Sequence, residues 1–124
     1  MFTDIVNFSK ICEDLTAEEL VSMLNQYYSE FDRIVEKYGV EKIKTVGDSY
    51  MCAGGMNLKE VFDPSNMIRA AFEMSQYIFA RQVENLVNGK PTFDMRIGNN
   101  SGPVVAGLVG LKKFAYGIWG ITVK

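Results

Sequence analysis

Two aspartates stand where this chain would not ordinarily carry a charge. Asp4 interrupts the apolar run "FTDIV", and Asp48 follows Gly47 in "KTVGDSYM". Taken singly, each has a plain role: Asp4 as a strand-end hydrogen-bond acceptor, Asp48 as a turn residue. Brought together, two carboxylates repel each other unless a cation lies between them. The 124 residues contain no histidine. That removes histidine general bases, histidine-containing triads and most zinc sites. A metal held here is held by oxygen, which selects a hard cation such as Mg²⁺ or Mn²⁺. Two such ions would satisfy both carboxylates and leave positions open for water and phosphate oxygens. The backbone carbonyl of Ile5 could add a further ligand. Asn7, Phe8 and Ser9 lead on towards a helix, where free N–H groups form a ready site for phosphate. Metal aspartates beside a phosphate cradle suggest phosphoryl or nucleotidyl chemistry.

The elements that must position these residues follow from pattern. Residues 2–6 read as a buried strand. Thr16 and Glu19 have capping-box spacing. Apolar residues then recur at Leu20, Met23, Leu24, Tyr27, Phe31, Ile34, Val35 and Tyr38, a helical period, and Gly39 is a natural stop. Residues 40–46 and 49–53 read as two strands joined at Gly47-Asp48, a hairpin signal. A second helix is expected from Pro64 or Ser65 to Val87, with Gly89 just past its end. "FDMRIGNNSG", "PVVAGLVG" and "FAYGIWG" read as further strands. The order is that of a ferredoxin-like βαββαβ α+β sandwich with extra C-terminal strands. In that topology the strand of Asp4 and the hairpin of Asp48 meet at one end of the sheet.

Composition bounds the rest. The length suits one domain over residues 1–124. The net charge is −2, which argues against nucleic acid or an anionic membrane as the partner. No apolar run approaches the roughly 20 residues of a membrane helix. Cys12 and Cys52 show no motif spacing, so a reduced, cytoplasmic setting is expected. The chain begins inside a strand-like run and stops at Thr122-Val123-Lys124, so a domain truncated at both ends is expected, whose parent protein could be membrane-tethered.

Four motifs, "FTDIVNFS", "EKIKTVGDSYMCAGG", "MRIGNNSGPVVAGLVG" and "KKFAYGIWGITV", occur in order. With them the chain resembles the catalytic domain of class III nucleotidyl cyclases, the adenylate and guanylate cyclases. The resemblance implies conversion of ATP or GTP to the 3′,5′-cyclic monophosphate and pyrophosphate, with two Mg²⁺ or Mn²⁺ ions. It implies a head-to-tail dimer, with itself or with another cyclase domain, and sites at the interface. Asp4 and Asp48 match the metal aspartates, and Ile5 the carbonyl ligand. Asn7, Phe8 and Ser9 match the loop on the terminal phosphates, and Arg96 an arginine that approaches them. Lys44 matches the base-selecting position, where lysine favours adenine and glutamate guanine, and would serve the partner's metal site.

Departures cluster late. Gly117 stands where an aspartate or small polar residue helps Lys44 read the base. Ile121 replaces an aspartate or asparagine, Lys124 a ribose-positioning asparagine, and Asn99 and Asn100 an apolar residue and a frequent histidine. These motivate an alternative: a cyclase-like module that dimerises and donates only a metal half-site. A diguanylate cyclase would carry a Gly-Gly-Asp/Glu-Glu-Phe hairpin, and this hairpin reads Val46-Gly47-Asp48-Ser49-Tyr50. A polymerase palm needs a basic track that this acidic chain lacks.

Overall fold

The computed structural model describes residues 1–56, 59–109 and 115–123. Strand β1 is Phe2–Ile5, followed by helices α1, Phe8–Asp14, and α2, Ala17–Lys37. The hairpin β2, Glu41–Val46, and β3, Ser49–Ala53, leads into α3, Ser65–Val87. Strands β4, Met95–Gly98, β5, Val105–Val109, and β6, Ala115–Trp119, and a 3₁₀ turn, Ile121–Val123, complete the described order.

The first four strands form one antiparallel sheet in the order β2-β3-β1-β4, and β5 and β6 form a separate hairpin. This is the expected ferredoxin-like arrangement, with β1 in the middle. The short helix α1 is an element that the sequence only hinted at. Its entry needs a sharp turn out of β1, and Asn7 supplies it with φ 57° and ψ 41°, a left-handed conformation that asparagine tolerates better than most residues.

Helix α2 begins where Thr16 Oγ1 accepts from the Glu19 N–H at 3.1 Å, which satisfies one of the helix's free donors. It buries Tyr27, Tyr28, Phe31, Ile34 and Val35. Helix α3 buries Ala70, Met74 and Ile78. Both helices end on a glycine with φ 68°, Gly39 and Gly89, and the next N–H reaches back five residues, Val40 to Val35 and Lys90 to Asn85. These apolar stripes close over Ile5, Tyr50, Cys52 and Met95 in one core.

Side chains alternate across β1. Thr3 and Ile5 are buried beneath the helices, while Phe2 and Asp4 point to the opposite face. Cross-strand partners share a face, so Met51, opposite Phe2, also lies there. Strand β2 breaks this alternation. Lys42 pairs with Cys52, but Lys44 pairs with Met51, which leaves Ile43 as an extra residue. The bulge turns Lys42 to the helix face and Lys44 to the face of Asp4. No described helix is long and apolar enough to cross a membrane.

Candidate active site

Asp4 and Asp48 come together at one end of the sheet. The β1–β3 ladder pairs Thr3 with Tyr50, and one step further the Ile5 N–H donates to Asp48 Oδ2 at 3.1 Å. Asp48 takes the place that a strand carbonyl would hold. In a β-strand the N–H and C=O of one residue point to the same edge, so the Ile5 carbonyl faces the hairpin that carries Asp48. The hairpin loop is two residues long, closed by the Val46–Ser49 pair, and Gly47 takes φ 56° at its first position. That left-handed residue aims the following aspartate back at β1.

Asp4 faces the open side of the sheet. Directly across the β1–β4 ladder stands Arg96. Its Nε donates to Asp4 Oδ1 at 2.9 Å and its Nη2 to Oδ2 at 2.8 Å. The side chains of Arg96 and Asp4 are 69% and 42% exposed. The pairing raises the guanidinium pKa further, and Asp48 adds a smaller pull in the same direction. One guanidinium therefore feels both carboxylates. On the core side, burial and the Asp48 charge push the Tyr28 hydroxyl upward, and among the described residues that hydroxyl has no hydrogen-bond partner.

The donor set fits a hard divalent cation. It comprises two carboxylates on adjoining backbone positions and a carbonyl aimed at the same edge, all oxygen. The site already attracts a cation, since Arg96 stands on Asp4. Among the described residues no group of three or more His, Cys, Asp or Glu side chains is placed to hold a metal ion, so a centre here would rest on two carboxylates and a carbonyl.

The remaining candidates fall into two groups. Asn7 caps the turn from β1 into α1 and Phe8 and Ser9 open that helix, shortly after the Ile5 carbonyl, with Asn7 and Ser9 exposed and Phe8 packed on the core. Lys44 is half-buried on the Asp4 face, one sheet edge away on β2, and no ion pair involves it among the described residues. Strand β6 lies against β2. Gly117 is buried there opposite Gly107, so neither strand projects a side chain at that pair. Lys124 and residues 112–114 of the last motif lie outside the described residues.

Two broad grooves, of about 1100 and 1020 Å³, hold neither Asp4, Asp48 nor Lys44. With the side chains of Asp4 and Arg96 this exposed, the candidate site lies on an open face of the sheet. A water-excluding wall would have to come from a second surface.

Sequence reasoning missed Asp32. Its Oδ1 accepts from the Tyr50 hydroxyl at 2.7 Å, and its carboxylate holds Lys42 Nζ at 3.1 Å. The sequence signalled the irregularity of β2, though not Asp32: Val40 just before it and Ile43 and Val46 within it recur every third position, which no regular strand does.

Comparison with known proteins shows the family and agrees with the fold. The profile of the family described as "Adenylate and Guanylate cyclase catalytic domain" matches residues 1–124. The chain belongs to that family. It is 40% identical over 124 residues to the soluble guanylate cyclase gcy-31 of Caenorhabditis elegans, covering 99% of this chain and 17% of that protein. Among solved structures, the catalytic core of a rhodopsin-guanylyl cyclase with converted specificity, in complex with ATPαS, superposes with a TM-score of 0.83 at 30% identity, covering 98% of this chain and 64% of that one. The adenylyl cyclase CyaB of P. aeruginosa gives 0.82 at 28% identity, covering 98% and 64%. The chain thus spans less than a fifth of its first sequence relatives and under two thirds of these structures.

Proposed function

We propose that this domain cyclises a nucleoside triphosphate, ATP in preference to GTP, to the 3′,5′-cyclic monophosphate and pyrophosphate, in cyclic-nucleotide signalling. The observation that carries the reading is the convergence of Asp4, the Ile5 carbonyl and Asp48 at one sheet end. Asp4 and Asp48 would hold two Mg²⁺ or Mn²⁺ ions, with Ile5 completing the oxygen ligands. Bound there, the ions would supply Lewis acidity to the ribose 3′-hydroxyl and to the reacting phosphate.

The chain's own groups do the rest. The amides at Asn7, Phe8 and Ser9 follow Asp4 closely in the chain and would bind terminal phosphate oxygens. Arg96 has a fork that fits two phosphate oxygens as well as it fits Asp4. Lys44 has only donors to offer, which suits ring-nitrogen acceptors of adenine. Gly117 offers it no helper side chain, so Lys44 carries base selection alone. The exposure of Asp4 and Arg96 favours a site completed by a second cyclase domain, in a homodimer or a heterodimer. Lys44 of one subunit would then serve the carboxylates of the other.

The test is Mn²⁺-dependent formation of cyclic AMP from ATP, with GTP in parallel and Asp48→Ala as control. Product from ATP that vanishes in the variant supports the reading. The bare strand pair at Gly107 and Gly117 favours one second reading, a module that contributes only the metal half-site. Such a chain would yield product only when mixed with a partner domain carrying the complementary half.

A further inference from the structure

The β2 bulge gives two lysines, only two residues apart, opposite tasks. Lys44 faces the carboxylate side of the sheet. Lys42 faces the helices, where three contacts hold it: Asp32 Oδ1 at 3.1 Å, Asp32 Oδ2 at 3.2 Å, and the Tyr50 ring with its centroid 5.5 Å from Nζ. Asp32 projects from the C-terminal part of α2 and is fixed in turn by the Tyr50 hydroxyl at 2.7 Å. Tyr50 is fully buried among Tyr28 and Phe31. The clamp therefore grips both strands of the hairpin across the bulge, Lys42 on β2 before it and Tyr50 on β3, opposite Thr45, after it, and ties them to a helix.

A strand with regular alternation would place Lys42 and Lys44 on the same face. Were the bulge to slip out, either Lys44 would turn to the helix face, away from Asp4, or Lys42 would turn out to the face of Asp4 and crowd it. The extra residue is kept where the helix face is held on both sides of it, by Lys42 before the bulge and by Tyr50, which pairs with Thr45 after it, and among the described residues Asp32 is the acidic side chain that bonds both. We infer that Asp32, acting through Lys42 and Tyr50, is a positioning residue that presents Lys44 for recognition of the nucleobase. This rests on the base-reading role proposed for Lys44. Asp32 touches no substrate.

The experiment compares Asp32→Asn, Lys42→Met and Lys44→Glu with the wild type in the full-length protein. Asp32→Asn keeps an acceptor for the Tyr50 hydroxyl and loses the charge that holds Lys42. Two ratios are read: kcat/KM for ATP over GTP, and the Kd values of fluorescent ATP and GTP analogues without turnover. Thermal unfolding is followed alongside. Asp32→Asn and Lys42→Met are expected to move both ratios towards GTP by about fivefold, the change carried by ~1 kcal/mol, with Tm nearly unchanged. Lys44→Glu should move them further in the same direction. If Lys44→Glu shifts the ratios while the other two variants leave them alone, or change both nucleotides equally, Asp32 is merely structural and the inference is overturned. If Lys44→Glu itself leaves the ratios unchanged, base reading by Lys44 fails and the positioning role falls with it.

Discussion

Arg96 grips Asp4 from directly across the β1–β4 ladder, with two parallel N–H···O bonds of 2.9 and 2.8 Å. Both acceptor oxygens of a proposed metal ligand are thereby engaged by a side chain proposed for the phosphates. The two roles compete for one edge of the guanidinium, because the Nε and Nη2 donors that hold both Asp4 oxygens cannot at the same time form that fork on a phosphate. Arg96 is exposed and long, so the exchange needs only a rotamer change and no movement of the sheet.

Removing Arg96 should therefore separate binding of the ion from catalysis. Arg96→Ala is expected to tighten Mn²⁺ binding by about two- to fivefold, the scale of an exposed ion pair, as followed by electron paramagnetic resonance of free Mn²⁺. Cyclase turnover should fall by about tenfold or more, since a charge-assisted fork on phosphate is lost. Unchanged or weaker Mn²⁺ binding would show that the pair does not compete with the ion.

Asp48 has two tasks, and its variants should show both. It accepts the Ile5 N–H at 3.1 Å and is proposed to hold metal. Asp48→Asn keeps an acceptor for that N–H and loses the charge. Its stability should stay within about 1 kcal/mol of wild type, while Mn²⁺-dependent turnover drops by about a hundredfold or more. Asp48→Ala should lose the same activity and a further ~1 kcal/mol of stability. Chemical denaturation beside a turnover assay separates the two losses. An active Asp48→Asn protein would remove Asp48 from the metal site.

Gly47 determines where Asp48 points. Its φ of 56° is a conformation that side chains rarely adopt, and a Cβ there meets nothing within 4 Å. Gly47→Ala thus introduces backbone strain without a clash. The expected loss is about 1–2 kcal/mol, read from urea midpoints. Turnover should fall with it at temperatures where the variant is fully folded, because relaxing the turn moves Asp48 off the Ile5 N–H. A variant that loses stability but keeps full turnover would show that the hairpin tolerates the change without moving the carboxylate.

Much of this was legible in the sequence. Periodicity, the Thr16 cap and the stop glycines located α2 and α3, and the Gly47-Asp48 loop located the hairpin. The convergence of Asp4 and Asp48 followed from strand order alone, since β1 and the β2–β3 hairpin meet at one end of the sheet. Helix α1 was less visible, because seven residues give too few turns for a clear period, and its left-handed Asn7 has no unique sequence signature. The face of Lys44 was illegible for a different reason. A period-2 reading of β2 places Lys42 and Lys44 together, and only tertiary contacts decide where the extra residue enters. The Arg96–Asp4 pair was hidden likewise: Arg96 was matched to phosphate, and register alone reveals that it stands opposite Asp4.

The core carries a pH dependence that is independent of the site. Cys52 lies fully buried on β3, and burial pushes its thiol from 9.0 up to about 11. Burial likewise lifts the Tyr27 hydroxyl from 10.0 up to about 12. In both cases the folded state favours the neutral, protonated form. Below pH 9 the thiol keeps its proton in folded and unfolded chains alike, so it adds no slope. Between pH 9 and 11 the unfolded chain releases a proton that the folded chain retains, and stability falls as pH rises. The full span amounts to on the order of 2–3 kcal/mol for Cys52, with Tyr27 adding its own fall above pH 10. Urea denaturation at pH 8, 9, 10 and 11 measures this directly. Cys52→Ala should be less stable than wild type at pH 8, through the lost packing of the sulfur. Between pH 9 and 10 its decline should be shallower by about 1 kcal/mol, because the thiol is gone. Parallel curves for the two proteins would show that Cys52 ionises as easily in the folded chain as in the unfolded one, and that water reaches the helix face of β3.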